Sequence, residues 1–336
     1  MSNTLLQNRQ IFILIFGESV VLVMLFIAFF LALLLLVKWD FTTHSKAQYK
    51  REREAWLLTT IITFATFMKF ILLPYFIFTI DYLSAVVPGA MCSAGVISFN
   101  SFGMPLLYIK LFILFTLSFW LTLNHDDLQE GNYPWFRMKI VVFIVIFALV
   151  CSELWLEYQF FAAIDIHKII NCCSTLYGLL EGMNPLPYGL DIQNIVLLFF
   201  LLFALIVSAY KSNNNLIMFI ALLGFGQIAY YGVIYFFAPY IYEQPNHNCP
   251  FCMLQQEYYY VGYLLWGLLG GGLFTGLSAV IAEYFLKKKK DKLKKLMLLL
   301  LSLFVLLSLS YVVFYYIQNG VFLQEKVSDG MSGMIM

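Results

Sequence analysis

Residues 11–37 read IFILIFGESVVLVMLFIAFFLALLLLV, and Glu18 is the only charged residue among them. A run of more than about 18 apolar residues is long enough to cross a bilayer as a helix. Lipid offers no hydrogen-bond partner to backbone N–H and C=O groups, so the spanning segment must be helical. The preceding residues carry one basic side chain and no small-residue cleavage site, so we expect a retained helix rather than a signal peptide.

Seven further stretches resemble the first, and together they predict an all-α, polytopic integral membrane protein. Of the 336 residues, 62% are hydrophobic and 12% are charged, whereas about 25% of a soluble domain is charged. The loops are short and predict no soluble domain, so residues 1–336 are expected to form a single membrane domain. The predicted spans are 11–37, 56–80, 105–123, 140–161, 192–210, 216–240, 258–285 and 296–317.

Basic residues are divided unequally between the two sides of these spans. Fifteen of the 20 lysines and arginines lie on one side, including seven lysines in residues 287–295. Because Lys and Arg are enriched in cytoplasmic loops, we expect an inner-membrane protein with both termini on the non-cytoplasmic side. The lysine-rich loop is interpreted as a topology anchor or as a site for anionic lipid. The net charge of +1 argues against a nucleic-acid partner and leaves the lipid bilayer as the expected one.

Five of the six cysteines fall in loops on the predicted outer side, and only Cys151 lies within a span. The five are Cys92, Cys172, Cys173, Cys249 and Cys252. In a bacterial inner membrane this side faces the periplasm, where disulfides form and persist. Adjacent cysteines pair with each other only through a strained ring, so Cys172 and Cys173 are each expected to pair elsewhere. An odd number of outer cysteines leaves one thiol over.

The most specific motif is residues 247–252, which read HNCPFC. A Cys-X-X-Cys spacing brings two sulfurs together and favours thiol–disulfide exchange. The spacing resembles the outer-loop cysteine pairs of quinone-coupled disulfide-forming membrane proteins and of vitamin K epoxide reductases. That resemblance covers four residues, and those proteins are smaller helical bundles. It implies a thiol–disulfide oxidoreductase coupled to a membrane quinone, with Cys249 and Cys252 as the redox pair.

Two other interpretations of this pair stay open. Thiolates separated by two residues, with His247 beside them, are also typical ligands of zinc or copper. A structural disulfide that pins the loop is the third. The remaining outer cysteines, Cys92, Cys172 and Cys173, form either an exchange relay with the pair or structural disulfides. The loop is short, so we expect Cys249 and Cys252 to be exposed and reactive.

Methionines are enriched on the same predicted face. Seven of the 13 fall there, namely Met91, Met104, Met183, Met253, Met331, Met334 and Met336. Thioether and thiolate ligands suit Cu(I), so copper is a candidate cofactor with the C-terminal Met331, Met334 and Met336 among its ligands. The alternative is that loop methionines fill gaps against the helices and that the tail has no function.

Five charged residues within the predicted spans are candidates for a polar interior site. They are Glu18, Lys69, Lys110, Glu153 and Glu157. Charges within a bilayer are costly, face the bundle interior or water, and usually pair. Glu153 and Glu157 share one helix face because they are four residues apart. We expect Lys69 to have an acidic or polar partner on another span, either in a proton or ion path or in a structural ion pair.

The seventh span carries two glycine pairs at four-residue spacing, Gly267/Gly271 and Gly272/Gly276. This spacing predicts close approach of another helix. It is not a phosphate-binding loop, which needs a preceding strand.

Three functions therefore remain. The first is a thiol–disulfide redox protein that acts on a periplasmic thiol partner and a membrane quinone. The second is a copper-handling protein or one that assists maturation of a metalloprotein. The third is a transporter or membrane-complex subunit with structural disulfides. None of the four histidines lies within a span, so we expect no haem.

Overall fold

The computed structural model describes residues 8–38, 46–90, 92–130, 133–165, 189–245 and 247–323. Within these ranges the regular structure is helical, and eight helical segments are long and apolar enough to cross a membrane. The predicted all-α, multi-pass membrane architecture is therefore confirmed. The chain divides into two compact units, the first comprising Met1–Val86 and Val96–Lys168, the second Val87–Gly95 and Ile169–Met336.

Four long helices build the first unit, and a short helix follows the second of them in the chain. In order they are α1 Arg9–Lys38, α2 Lys46–Ser84, α3 Ser93–Ile97 (the short one), α4 Gly103–Gln129 and α5 Phe136–Ala162. Helix α1 packs against α2 and α5, and α4 packs against the same two helices. The four long helices thus enclose a common interior, and their polar side chains meet there.

The second unit contains four further spans. Its elements are α6 Ile192–Lys211, α7 Asn215–Gly232, a π-helical turn Val233–Phe237, α8 Ala238–Tyr242, two 3₁₀ turns at Cys252–Leu254 and Gln256–Tyr258, α9 Val261–Leu286 and α10 Asp291–Asn319. Helix α7, the π-helical turn and α8 form one continuous span, Asn215–Tyr242. Helix α9 packs against both α7 and α10, and α6 packs against α7.

The helices differ from the predicted spans mainly at their ends. Helix α2 begins at Lys46, ten residues before the predicted start, because the polar segment before Trp56 continues the helix outside the apolar window. Helix α9 begins at Val261 rather than at residue 258. Tyr259 and Tyr260 adopt left-handed backbone conformations, with φ of 53° and 56°, which a helix cannot contain.

Close packing of α9 depends on one of its two glycine pairs. A Cβ atom on Gly272 would lie 2.5 Å from Leu301 Cδ2, and one on Gly276 would lie 2.5 Å from Met297 Sδ, so α10 approaches closely at both positions. A Cβ on Gly267 would meet nothing within 4 Å. The prediction of close approach is confirmed for Gly272/Gly276 and wrong for Gly267.

Aromatic rings fill the interior of the second unit. Phe199 of α6 lies at its centre, with ring centroids 5.2 Å from Phe225, 5.3 Å from Phe237 and 6.0 Å from Phe304. All four rings are buried. Dispersion and shape complementarity therefore hold these helices together, as expected where lipid competes for apolar contact.

Two of the fifteen basic residues on the predicted cytoplasmic side, Lys139 and Lys294, are buried and paired. Lys139 donates to Asp127 Oδ2 at 2.8 Å and to Asn124 Oδ1 at 3.1 Å. Lys294 donates to Glu283 Oε2 at 2.5 Å and to Asn215 Oδ1 at 2.8 Å. Lys139 thus links α5 to α4, and Lys294 links α10 to α9 and α7, in addition to any effect on membrane orientation.

Candidate functional site

Three cysteine sulfurs converge within the second unit. Cys92 immediately precedes α3, while Cys249 and Cys252 lie between α8 and α9. The sulfurs of Cys92 and Cys249, 157 residues apart in sequence, are separated by 3.5 Å. All three sulfurs lie within 4.8 Å of one another. We call these three residues the thiol cluster.

The thiol cluster is buried, which contradicts the expected exposure of its loop. The exposed fractions of Cys92, Cys249 and Cys252 are 0%, 2% and 6%. The sequence predicts a simple connection here, but the turn Cys252–Leu254 packs against α8 and α9. A short loop can bury its side chains when it packs against helix ends, and loop length does not reveal that packing.

Tyr242 at the end of α8 holds this loop in place. Its hydroxyl donates to the backbone carbonyl of Cys249 and accepts a hydrogen bond from the backbone N–H of Met253 at 2.9 Å. The indole N–H of Trp266 donates to the carbonyl of Pro250 at 3.2 Å. Side chains of α8 and α9 therefore hold the backbone of the Cys-X-X-Cys segment, and this fixes the positions of the two sulfurs.

The loop also requires glycine at the start of α9. A Cβ atom on Gly262 would lie 2.6 Å from Met253 Cγ and 2.9 Å from Leu254 Cδ2. Only a residue without a side chain lets the 3₁₀ turn after Cys252 lie this close to the helix. The predicted outer methionine Met253 is thus packed against α9, with no exposed surface.

His247 lies beside Tyr242 and outside the group of mutually close ligand atoms. Its ring centroid is 4.4 Å from that of Tyr242, and its Nδ1 is 3.2 Å from Gln244 Oε1. The ring of Tyr258 contacts Tyr242 from another direction, with centroids 4.6 Å apart. Partial burial raises the pKa of the Tyr258 phenol, and the neighbouring Cys252, Glu257 and Cys249 raise it further. Tyr258 therefore stays a neutral phenol at physiological pH.

The structure does not describe most of the other candidate residues. Cys172, Cys173, Met331, Met334 and Met336 lie outside the described residues. Cys151 stands apart on α5, with an exposed side chain. The exchange relay through Cys172 or Cys173 and the methionine tail remain predictions.

A second polar site lies in the first unit, where the five intramembrane ionisable residues meet. The ammonium of Lys110 donates to Glu18 Oε1 at 2.8 Å, to Glu153 Oε1 at 2.7 Å and to Glu157 Oε2 at 2.7 Å. Lys69 donates to the remaining oxygens of Glu18 and Glu153. All five side chains are at most 4% exposed. We call them the charge cluster.

The charge cluster joins four helices and satisfies the pairing expected for Lys69. Its members come from α1, α2, α4 and α5, the four long helices of the first unit. The phenyl ring of Phe76 lies beneath the Lys110 ammonium, 4.7 Å from ring centroid to Nζ. The sequence identified all five members because charges within spans stand out, but it could not say that they form a single cluster.

The partners that shape the thiol cluster were missed. Tyr242 and Trp266 were unremarkable in a chain with 22 tyrosines and six tryptophans. The sequence placed Cys92 in an exchange relay or in a structural disulfide, and it did not predict that the sulfurs of Cys92, Cys249 and Cys252 converge. Residue spacing shows which groups are close in the sequence, whereas these contacts depend on how separate segments pack against one another.

The chain matches no protein-family model, no curated protein and no solved structure. What stands is a multi-pass, membrane-type helical protein in which cysteines from two loops cluster.

Proposed function

We propose that the thiol cluster binds a soft metal ion, with Cu(I) as the preferred one, and that the protein handles copper or assists maturation of a metalloprotein at the predicted outer face. The observation that carries this proposal is the convergence of three sulfurs from two distant loop segments. The metal would be held by Cys92, Cys249 and Cys252.

The sulfur separations fit shared coordination. Three sulfurs that each lie about 2.3 Å from one metal ion are separated from one another by roughly 4 Å. The sulfurs of Cys92 and Cys249 are 3.5 Å apart and no pair in the group exceeds 4.8 Å, which is compatible with that value. A disulfide needs sulfurs about 2.05 Å apart. The arrangement therefore supports a metal-binding state of the three thiols.

The ligand set favours Cu(I) over harder ions. The group consists of three sulfurs, with no oxygen or nitrogen ligand from the described Asp, Glu or His residues. Thiolate ligands select soft metals, whereas carboxylates and carbonyls suit Mg²⁺, Ca²⁺ and Mn²⁺. Structural zinc sites are almost always four-coordinate. A bound metal ion replaces thiol protons, and the single charge of Cu(I) offsets the charge of one thiolate.

The test is a Cu(I) titration of reduced, detergent-purified protein under anaerobic conditions, in competition with a chromophoric Cu(I) chelator. We expect one ion per chain in the wild type and loss of that ion in Cys92→Ser, Cys249→Ser and Cys252→Ser. Cys151→Ser is the matched control and should retain it. X-ray absorption should show a sulfur shell at about 2.3 Å. Retention of copper by Cys92→Ser, or none in the wild type, would contradict the proposal.

A second candidate function is thiol–disulfide exchange, and the contact between Cys92 and Cys249 favours it. In this scheme the Cys92 thiolate attacks the Cys249 sulfur of a Cys249–Cys252 disulfide, which forms a Cys92–Cys249 disulfide and releases Cys252 as a thiolate. The exchange itself consumes no electrons. Net formation of a disulfide releases two electrons and two protons, which a membrane quinone would accept to become a quinol.

The two functions predict different covalent states. After incubation of reduced protein with a soluble quinone, exchange predicts disulfide-linked peptides that contain Cys249 joined either to Cys252 or to Cys92. It also predicts that Cys92→Ser traps the Cys249–Cys252 form. If the three thiols stay reduced while copper binds, the exchange function is rejected and metal binding stands.

A further inference from the structure

The charge cluster contains more acidic than basic groups. Three carboxyl groups, of Glu18, Glu153 and Glu157, share two ammonium groups, of Lys69 and Lys110. With every group ionised the cluster would carry one net negative charge. An uncompensated charge buried within a membrane-spanning bundle is costly. One bound proton removes it.

The hydrogen bonds indicate which carboxyl group carries that proton. Both oxygens of Glu18 and both oxygens of Glu153 accept hydrogen bonds from lysine. Glu157 accepts one, through Oε2, and its Oε1 is buried without a hydrogen-bond partner among the described residues. Glu157 has no exposed surface at all. It is the carboxyl group whose ionised form is least stabilised by its neighbours.

Glu157 is the member of the cluster nearest to an end of its own helix. Glu157 lies five residues before the end of α5 at Ala162, about 7.5 Å along the axis. Lys110 lies seven residues after the start of α4 at Gly103, about 10 Å. Lys69 lies 15 residues before the end of α2 at Ser84, about 22 Å. The contacts form a path from Glu157 through Lys110, then Glu18 and Glu153, to Lys69.

A proton suits this place better than a metal cation does. The charged groups that face Glu157 are Lys110 from α4, Glu18 from α1 and Glu153 from its own helix, with Lys69 of α2 behind the two glutamates. Two ammonium groups occupy five of the six carboxylate oxygens and repel a metal ion. A proton on Glu157 leaves the five lysine–carboxylate contacts in place.

We propose that the charge cluster is a proton-binding site inside the membrane bundle, with Glu157 as the group that takes up and releases the proton. The proton arrives from the side of the membrane where α5 ends. Uptake converts the Glu157 carboxylate into a carboxylic acid and changes the net charge of the cluster from −1 to zero. Release alters the electrostatic balance among four helices at once, as a proton-coupled transport step requires. This proposal does not depend on the thiol cluster.

Infrared difference spectroscopy on purified protein in lipid nanodiscs tests the proposal directly. The wild type should show the carbonyl-stretch band of one protonated carboxylic acid at neutral pH, and this band should vanish as the pH is raised. Glu157→Gln should lack the band, and Glu157→Asp should restore it at a shifted frequency. Glu257→Gln, which changes an exposed loop carboxylate, is the matched control and should leave the band unchanged.

A second variant tests the net charge of the charge cluster. Lys69→Met leaves one ammonium with three carboxyl groups, so the band should double in amplitude as two protons become necessary for neutrality. A wild-type protein without a titrating band, or a band that persists unchanged in Glu157→Gln, would overturn the proposal and leave a purely structural ion cluster. If Glu157→Gln fails to fold, the wild-type titration together with Glu157→Asp and Lys69→Met decides the question.

Discussion

The two units of this protein hold their helices together by different means. In the first unit, α1, α2, α4 and α5 share an ion cluster in which Lys110 alone bonds to three carboxyl groups. In the second, α9 and α10 meet at glycine positions and a group of phenylalanine rings fills the interior. Lipid tails are as apolar as leucine, so apolar surface alone does not drive helix association in a bilayer. Hydrogen-bonded ion pairs join the helices of the first unit, and close van der Waals packing joins those of the second.

This difference predicts opposite sensitivities. The first unit should be sensitive to the charge of a side chain and tolerant of small changes in volume elsewhere. The second should be sensitive to added volume at its glycines, and to charge mainly at the buried pair Lys294–Glu283 that joins α10 to α9. The two proposed sites follow the same division, since the proton would bind to the ion cluster and the soft metal would bind to buried sulfur.

The largest effect is expected from Lys110→Met. It removes the three hydrogen bonds that Lys110 makes to Glu18, Glu153 and Glu157, and breaking a buried ion pair by removal of one partner costs about 3–5 kcal/mol. Thermal unfolding in detergent should show a large loss of stability or an absence of folded protein. Lys50→Met is the matched control, because the contact of Lys50 with Glu54 spans 4.0 Å and Lys50 is 80% exposed.

Equal stability of Lys110→Met and Lys50→Met would mean that the ion cluster does not hold the first unit together. The comparison between the units would then fail, because both would rely on apolar packing alone.

The next largest effect is expected from Gly272→Ala in the second unit. The new Cβ would lie 2.5 Å from Leu301 Cδ2 and 2.7 Å from its Cγ, so α10 must shift or Leu301 must leave its rotamer. Overpacking of this kind costs about 1–3 kcal/mol. Gly267→Ala is the matched control, because its Cβ would meet no atom within 4 Å. Unfolding of the two variants in parallel checks the difference, and equal stabilities would show that α9 and α10 can move apart freely.

The sequence predicted these two units to very different extents. Spans were readable because a long apolar run in a chain with few charges has one physical solution, and the buried charges Lys69 and Lys110 stood out against it. Their pairing with acidic side chains followed from the cost of isolated charge in a membrane. The buried lysines 139 and 294 were missed because a lysine near a helix end is normally solvated, and only the fold reveals their partners.

The thiol cluster was less predictable for the same reason. The Cys-X-X-Cys spacing drew attention to Cys249 and Cys252, but the spacing is equally typical of redox pairs, metal ligands and structural disulfides. What narrows the choice is the position of Cys92, which depends on contacts between distant segments. Burial of the loop depends on Tyr242, which makes two hydrogen bonds to its backbone. No sequence pattern predicts these bonds.

A smaller effect is expected from Tyr242→Phe. The substitution keeps the ring but removes the hydroxyl that joins the Cys249 carbonyl to the Met253 N–H. Two buried backbone groups lose a partner, at a cost of about 1–2 kcal/mol. The loop should open more often, so alkylation of Cys249 in the reduced protein should be faster than in the wild type. Tyr259→Phe, at an exposed tyrosine in the same segment, is the control. An unchanged alkylation rate would mean that Tyr242 does not secure the thiol cluster.

The smallest effect is expected from His247→Asn, and it separates the metal ligands suggested by spacing from those suggested by geometry. The motif HNCPFC suggested His247 as a ligand because it lies two residues before Cys249. In the structure its ring lies against that of Tyr242 at a tilt of 49° and its Nδ1 faces Gln244, while the sulfurs of the thiol cluster converge without it. A partly exposed side chain with one weak hydrogen bond contributes within about 0.5 kcal/mol to stability. A change in binding free energy of that size alters affinity about twofold, since about 1.4 kcal/mol corresponds to tenfold. Cu(I) affinity, measured by chelator competition, should therefore stay within about twofold of the wild type. Cys249→Ser should lose the ion under the same conditions. A loss of affinity in His247→Asn as large as that in Cys249→Ser would place an imidazole nitrogen in the coordination sphere, and the metal site would then have mixed sulfur and nitrogen ligands.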